Sequence, residues 1–448
     1  MKKLLVIQLD EPYFLFETAL MLQRYREALK DFEITLLVEN ESFKQILDGS
    51  CTFPQITTSN IQDIAGKRFD VSVNLSLKET SWEIHKDIIS EKKIGAFNQD
   101  GLLHVPDQWS SYLLTLKAKA PFLTFHLQDI YKNVLGIRKI ATPKKNKKTY
   151  QQLVFSLCHT SFFSPREQEQ FIQNVNQNYP HLNIVDISEI DLVSDLSHVL
   201  YVGPTCLEAL KICEDGATGI FLSSKFQGFN LIPHDEGHYF LSSKRKQFLA
   251  DELISFIDAE ILQKEITGDF PFAIYVTEEE HLFGSFLKSL NSSDENYPIY
   301  QSHVVLWNYL LNLFDVGLEI TSCSTEQLDT LRNQKEVLQK LIRLYDYAMS
   351  SIDTIHSEAR AVSTNAESIQ GHLKNLQDIE QISDKIAQTH MYLRPIIDFY
   401  RIRRGQNTGT TLLEQTQHTF LTYSEEHQAL RALLELFTVT LSKNEVSI

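Results

Sequence analysis

Three carboxylates stand close together near the start of the chain: Asp10, Glu11 and Glu17 follow the apolar run Leu4–Leu9. A carboxylate at the C-terminal edge of a strand is well placed to take a proton from a substrate hydroxyl in an open α/β sheet. The plainer alternative is an acidic first helical turn favoured by the helix dipole. Further on, Gly203-Pro204-Thr205 follows the apolar run Val199–Val202 and precedes a helical stretch. The free N–H groups of a helix start suit an anion, or the segment is simply a turn with Thr205 as the helix cap. His234-Asp235-Glu236-Gly237-His238 carries metal-ligand residue types, but Pro233 and Gly237 make it a loop, not a helix with two histidines on one face. A solvated loop is therefore expected there, and no metal site. Cys158-His159 lacks a third member for nucleophilic catalysis.

Composition narrows the chemistry. Glycine supplies 16 of 448 residues, roughly half of the usual share of about 7%. Few positions can therefore close backbone tightly around a phosphate. Neither G-x-G-x-x-G nor G-x-x-x-x-G-K-[ST] occurs, which excludes the common dinucleotide and P-loop fingerprints. A net charge of −16 argues against a nucleic-acid partner. Five scattered cysteines without C-x-x-C predict neither disulfide framework nor zinc knuckle, and point to a reducing compartment. The N-terminal apolar run breaks at Gln8 and Asp10, too early for a signal peptide. No stretch approaches 18 uninterrupted apolar residues. A cytoplasmic protein with at most peripheral membrane contact is expected.

The elements that must position these residues follow from periodicity. Leu4–Leu9, Glu33–Val38, Val71–Leu75 and Lys93–Phe97 read as strands, alternating with helical stretches at Phe14–Leu29, Ser42–Leu47 and Phe125–Leu135. That alternation predicts a parallel sheet covered on both faces over 1–140. Residues 141–150, with Lys144, Lys145, Lys147 and Lys148, predict an exposed basic linker. A second alternating block covers 151–296. Its strands are expected at Leu153–Leu157, Leu182–Asp186, Val199–Val202, Gly219–Leu222 and Phe272–Val276, with a helix at Phe248–Leu262. Ser164, Pro165 and Glu167 predict a capping box at a helix start.

Past residue 297 the pattern turns helical. Apolar positions keep heptad spacing from Leu338 to Leu376, about 58 Å of helix at 1.5 Å per residue. Arg403–Gly409 predicts a loop and Leu412–Leu441 a final helix. An antiparallel hairpin or small bundle is expected over 297–448. Its apolar stripe serves internal packing, or self-association or a protein partner through 321–448. Lys144–Lys148 and Arg401–Arg404 could meet an anionic membrane surface, although solvated loops are the simpler reading.

This layout resembles the GT-B glycosyltransferases of family 9, which include the ADP-heptose:lipopolysaccharide heptosyltransferases. The segments that carry the resemblance are Leu4–Leu22, Asp70–Leu75, His126–Gly136 and Val199–Leu210, within residues 1–290. The resemblance implies an α/β fold of two Rossmann-like domains facing a cleft, here followed by an all-α C-terminal domain. It implies a sugar moving from a nucleotide-sugar to a glycan or lipid acceptor, with no metal or other cofactor. The family's Gly-Asp, whose aspartate is the proposed base, falls on Tyr13 and Phe14 here, leaving Asp10, Glu11 or Glu17 as substitutes. Its Asp-Ser/Thr-Gly-Pro and histidine fall on Tyr201, Val202, Gly203, Pro204 and Cys206, so Gly203, Pro204 and Thr205 are what remains of a diphosphate cradle. The family's lysine in the first loop of the second domain is absent, and Arg166 is the nearest cation.

Charge agrees with these losses. Residues 151–290 hold 8 Lys+Arg against 20 Asp+Glu, a net of −12, whereas residues 1–140 hold 17 against 18. A diphosphate avoids so acidic a domain unless a local cluster offsets it. Two readings follow: a divergent glycosyltransferase, or a catalytically silent scaffold that binds a partner through its helical arm.

Overall fold

The computed structural model describes residues 1–42, 56–116, 125–137, 150–155, 163–190, 196–223, 233–234, 237–243, 248–262, 270, 272–280, 284–289, 297–311, 325–360, 366–406 and 409–445. The chain forms two α/β sections and a helical C-terminal region. Residues 141–149 of the basic linker and most of the stretch Ser42–Leu47 lie outside the described residues, while Tyr150, the last residue of the expected linker, is buried.

The first sheet is built from β1 (Lys2–Ile7), β2 (Phe32–Leu37), β3 (Ile56–Thr58), β4 (Arg68–Asn74) and β5 (Ile89–Gly95), in the order β3-β2-β1-β4-β5. All its pairings are parallel. The continuous apolar run of β1 has its reason in the two cores it feeds. Leu4 and Val6 enter the large core on one face, and Leu5 and Ile7 a smaller one on the other. Helix α1 (Pro12–Arg24) starts on Pro12 and ends five residues before the expected Leu29. Two further helices, α2 (Glu79–Asp87) and α3 (Gln108–Thr115), were not expected, nor was the small antiparallel hairpin of β6 (Phe97–Gln99) and β7 (Leu102–His104). Asp107 caps α3 by accepting the Ser110 N–H at 2.7 Å. Helix α4 (Leu127–Val134) falls where sequence placed it.

Gly95 ends β5 in the left-handed region at φ +88°, and a Cβ there would stand 2.2 Å from the backbone oxygen of Asn74. Neither strand can yield, because Asn74 and Gly95 are paired in the sheet. Gly95→Ala is expected to cost at least about 2 kcal/mol, from a strained φ plus backbone displacement. A lower urea midpoint with unchanged m-value would check this.

The second sheet comprises β8 (Gln152–Phe155), β9 (Asn183–Asp186), β10 (Val199–Gly203), β11 (Thr218–Ser223), β12 (Tyr239–Ser243), β13 (Phe272–Glu280) and β14 (Gly284–Ser289), in the order β14-β13-β12-β11-β10-β8-β9. Its first five strands in chain order pair in parallel, and β13 and β14 extend it antiparallel. Strands β12 and β14 escaped the sequence reading. Helices α5 (Pro165–Asn178), α6 (Leu207–Glu214) and α7 (Ala250–Ile261) cover the sheet. Ser164 caps α5, accepting the Glu167 N–H at 3.2 Å. The other half of the expected capping box is redirected: Glu167 accepts the Ala250 N–H at 2.8 Å and so ties α5 to the start of α7.

The C-terminal region contains α8 (Tyr297–Leu311), α9 (Thr325–Arg360), α10 (Ala366–Thr389), α11 (Arg394–Arg404) and α12 (Leu412–Glu445). The single long helix expected from the heptads is two helices. Bonds from Ser368 to Glu358 and from Asn375 to Tyr347 lay α10 antiparallel along α9. On α9, Tyr345 bonds Glu426 and His356 lies 3.4 Å from Thr416, so α12 also runs antiparallel to it. The expected loop at Arg403 begins later, since α11 continues through Arg404. The region is no free arm. Trp307 of α8 stacks on Phe125 with ring centroids 3.8 Å apart and meets Trp109 of α3 edge-on at 5.0 Å. One apolar core runs through the first section, the α6 side of the second and the bundle.

Candidate functional site

In a doubly wound sheet the crevice lies where neighbouring strands send their connections in opposite directions. In the first sheet that point is between β1 and β4, and Asp10 sits in it. Its carboxylate accepts Ser76 Oγ–H at 3.1 Å and Leu77 N–H at 2.8 Å, joining the loops that leave the two strands. Asp10 is 5% exposed. Burial raises its pKa, and the Leu77, Ser76 and Lys78 interactions pull it back. Behind it, buried Gln8 donates to Thr18 and Tyr131 and accepts the Asp10 N–H. Glu11 occupies the N-cap position of α1, is exposed, and makes no side-chain cap bond. Tyr13 stacks on Phe14, and burial pushes its phenol up. Glu17 lies deeper on α1, 1% exposed, and accepts Gln128 Nε2–H at 2.7 Å. The three carboxylates thus have three environments: one bonded across the crevice, one exposed at its rim, one sealed beneath it.

In the second section Gly203 closes β10, buried, and Tyr201 donates its hydroxyl to the Pro204 carbonyl at 2.6 Å. Thr205 is not the cap of the following helix. Cys206 is, its Sγ accepting the Ala209 N–H at 3.4 Å. Burial raises the Cys206 thiol, which disfavours thiolate chemistry. Arg166 is exposed on the first turn of α5 and forms no hydrogen bond or ion pair among the described residues.

His234 and His238 are buried, which corrects the expected solvated loop. They serve different partners. His234 Nε2 bonds Asp129 Oδ2 at 2.9 Å, whereas His238 Nδ1 accepts the Gly219 N–H at 3.0 Å. Asp235 and Glu236 lie outside the described residues, as do Cys158, His159 and Lys144–Lys148. Among the described residues no group of three or more His, Cys, Asp or Glu is arranged to hold a metal. Arg403 and Arg404 face inward, correcting the solvated loop expected at 401–404. Arg403 pairs with Glu425 and Tyr309, and Arg404 with Glu426 and Glu380.

The His234–Asp129 bond belongs to a polar seam that sequence reasoning missed. It joins the two α/β sections. On one side lie Glu17 and Arg24 of α1 with His126, Gln128, Asp129 and Lys132 of α4 and its cap. On the other lie Glu214 of α6 and His234. Arg24 reaches Glu214 at 3.1 Å, Lys132 reaches Asp129 at 3.1 Å, and the rings of His126 and His234 meet edge-on at 4.9 Å. Burial alone would raise Asp129, but His234, Lys132 and His126 more than offset it and hold the carboxyl well below the usual range. Glu17 goes the other way. Burial and then Glu214 push it up to about 8, against smaller pulls from Gln128 and Arg24. Nothing local in the sequence marks this seam: the polar residues of α4 are as buried as its apolar ones, which shows only with the partners in place.

A second buried arrangement, Ser72 Oγ 2.9 Å from His85 Nε2, has the residue types of a nucleophile and base. It is closed off: Ser90 and the Ala96 carbonyl take the remaining bonds, and burial lowers His85 to about 4.

No helix among the described residues is long and apolar enough to cross a membrane. No family model and no curated protein matches the sequence. Among solved structures the chain is similar to the E. coli heptosyltransferase WaaC with ADP, at 9% identity and a TM-score of 0.39, over 59% of this chain and 100% of that one. It is also similar to the same enzyme with ADP-2-deoxy-2-fluoro heptose, at 11% identity and a TM-score of 0.36, over 57% and 99%. The likeness is a distant one of fold, and it assigns no activity to this chain.

Proposed function

We propose that this chain is a glycosyltransferase-like scaffold that has given up transfer, with its helical region as the part that meets a protein partner or a second copy. The observation that carries this is the state of the crevice carboxylates. Asp10 spends both oxygens on Ser76 and Leu77, and Glu17 is sealed under α4 in a setting that keeps it protonated at neutral pH. Both are closed away from an incoming hydroxyl, Asp10 at 5% and Glu17 at 1% exposed, whereas a general base must come within hydrogen-bond reach of its substrate. The second section is acidic in sequence, with 8 Lys+Arg against 20 Asp+Glu over residues 151–290, which disfavours a diphosphate. Exposed Tyr347, Leu373, Ile382 and Leu421 supply apolar contact area on the bundle.

The test is a thermal-shift panel of ADP-, UDP-, GDP- and CMP-sugars with the full chain. A ligand at 100 times its Kd stabilises by about 2.7 kcal/mol. The expected result is no shift with any of them, and no release of sugar. A clear rise in melting temperature with one nucleotide-sugar, together with its turnover, would overturn the scaffold reading. The exposure of Glu11 favours a second reading in that event, a transferase using Glu11 as base, and Glu11→Gln should then abolish turnover while leaving the shift intact.

A further inference from the structure

We infer that the polar seam between the two α/β sections is a proton-operated latch, closed while Glu17 carries a proton and loosened when it ionises. Three carboxylates, Glu17, Asp129 and Glu214, meet in the seam with two fixed cations, Arg24 and Lys132. Lys132 and His234 are engaged with Asp129, and Arg24 with Glu214. Glu17 is left with the neutral amide of Gln128 at 2.7 Å, and with His126 Nε2 at 3.9 Å.

Donors point the same way. Gln128 Nε2 gives its hydrogen to Glu17 Oε2, while Glu17 Oε1 and Gln128 Oε1 are both buried without a hydrogen-bond partner among the described residues. Two acceptors on facing groups lack one donor between them. A proton on Glu17 supplies it, and a carboxylic acid can pair with an amide through two bonds at once. Without that proton, a buried charge with one hydrogen bond sits beside the Glu214 carboxylate, an arrangement that is strongly unfavourable unless relieved by water.

Glu214 lies on α6, so parting the sections takes its like charge away from Glu17 and admits water to the carboxylate. The titratable and charged groups around Glu17 are Tyr13 and Arg24 from its own helix, His126 and Tyr131 from α4 and its cap, and Glu214 from the second section; Asp129, Lys132 and His234 pair with one another in the rest of the seam. The closed form holds the proton more tightly than the open one, so closure is favoured at low pH and lost as pH rises toward the closed-state value. For a carboxyl of 4.5 when open and about 8 when closed, two-state linkage raises the opening constant about 70-fold from pH 5 to 7 and about tenfold more from pH 7 to 9.

Hydrogen exchange of the full chain, corrected for intrinsic rates at pH 5, 7 and 9, reads this through the amides of α1 and α6. Wild type is expected to lose protection there with rising pH. Glu17→Gln, which cannot ionise, should flatten the profile by at least tenfold over the range while the amides of β11 and β12 stay as in wild type. Glu214→Gln removes the like charge and frees Arg24 for Glu17, so it too should flatten the slope, and it serves if Glu17→Gln fails to fold. A slope in the variants equal to that of wild type would overturn the latch.

Discussion

Trp307→Ala is expected to cost about 4 kcal/mol, at the upper end of what one side chain can contribute to a core. Trp307 is fully buried, stacked on Phe125 and edge-on to Trp109 and Tyr112. These rings come from three segments, so the cavity left by alanine opens where α8 packs against the first section. Tyr112 also bonds His303 Nδ1 of α8 at 2.8 Å, and the cavity would loosen the helix that holds this partner. Phenylalanine at 307 keeps the stacked contact and should cost less than half as much. Urea denaturation read by near-UV circular dichroism, which reports the aromatic cluster, tests both. An alanine variant within about 1 kcal/mol of wild type would mean that the helical region does not depend on this joint.

The second large effect lies within the bundle. Glu426 is fully buried, accepts the Tyr345 hydroxyl at 2.6 Å and pairs with Arg404, which also meets Glu380 and lies over the Tyr423 ring at 4.6 Å. Arg404→Ala leaves a carboxylate buried without its cation and should cost about 3–5 kcal/mol at neutral pH. The pH dependence identifies the cause. Burial pushes Glu426 up to about 6, against the pulls of Arg404 and Tyr345, so its folded value already exceeds the unfolded 4.5. Stability from this group is present at low pH and is lost as pH rises through the folded value. Removing Arg404 raises the folded value further and widens that window upward. The variant should therefore be closer to wild type at pH 5 than at pH 8, by urea midpoint. Equal losses at both pH values would show that lost packing, not the stranded charge, is responsible. Combining Arg404→Leu with Glu426→Leu should recover much of the loss, because no charge is then left buried without its partner.

What the sequence revealed and what it hid divides by range of interaction. The run Leu4–Leu9 announced a strand, observed at Lys2–Ile7, because burial on both faces demands apolar residues throughout. Ser164 announced the start of α5 because a cap is a contact over three residues. The break between α9 and α10 was disguised, since Ile369 and Leu376 happen to continue the α9 heptad while packing back against it. Ser363, Thr364 and Asn365, outside the described residues, are of the types that compete with helix and were the local warning. Strand β12 follows directly on the segment His234–His238 that reads as a solvated loop, and β14 carries its two large apolar residues, Phe286 and Leu287, side by side, so neither shows period-two alternation. The carboxylates Asp10, Glu11 and Glu17 were singled out as a group after a strand; Asp10 and Glu11 follow β1 directly, while Glu17 lies within α1. Their separate fates depend on Ser76, Leu77, Gln128 and Glu214, which are 66 to 197 positions away and invisible to any local pattern. For the same reason Arg403 and Arg404 looked like a solvated loop: glutamates 22 to 24 positions away turn them inward.

The joint between Trp307 and the first section also bears on how the chain is made. Tyr112 and His303 bond across 191 positions, and a ribosome adding about 5–20 residues per second needs roughly 10–40 s to cover that interval. Throughout it, the nascent first section stands with Phe125, Tyr112 and Trp109 uncovered, although its own sheet is complete. Synthesis thus creates a timed interval in which a holdase that recognises aromatic surface would compete with premature self-contact, and the emergence of α8 ends it.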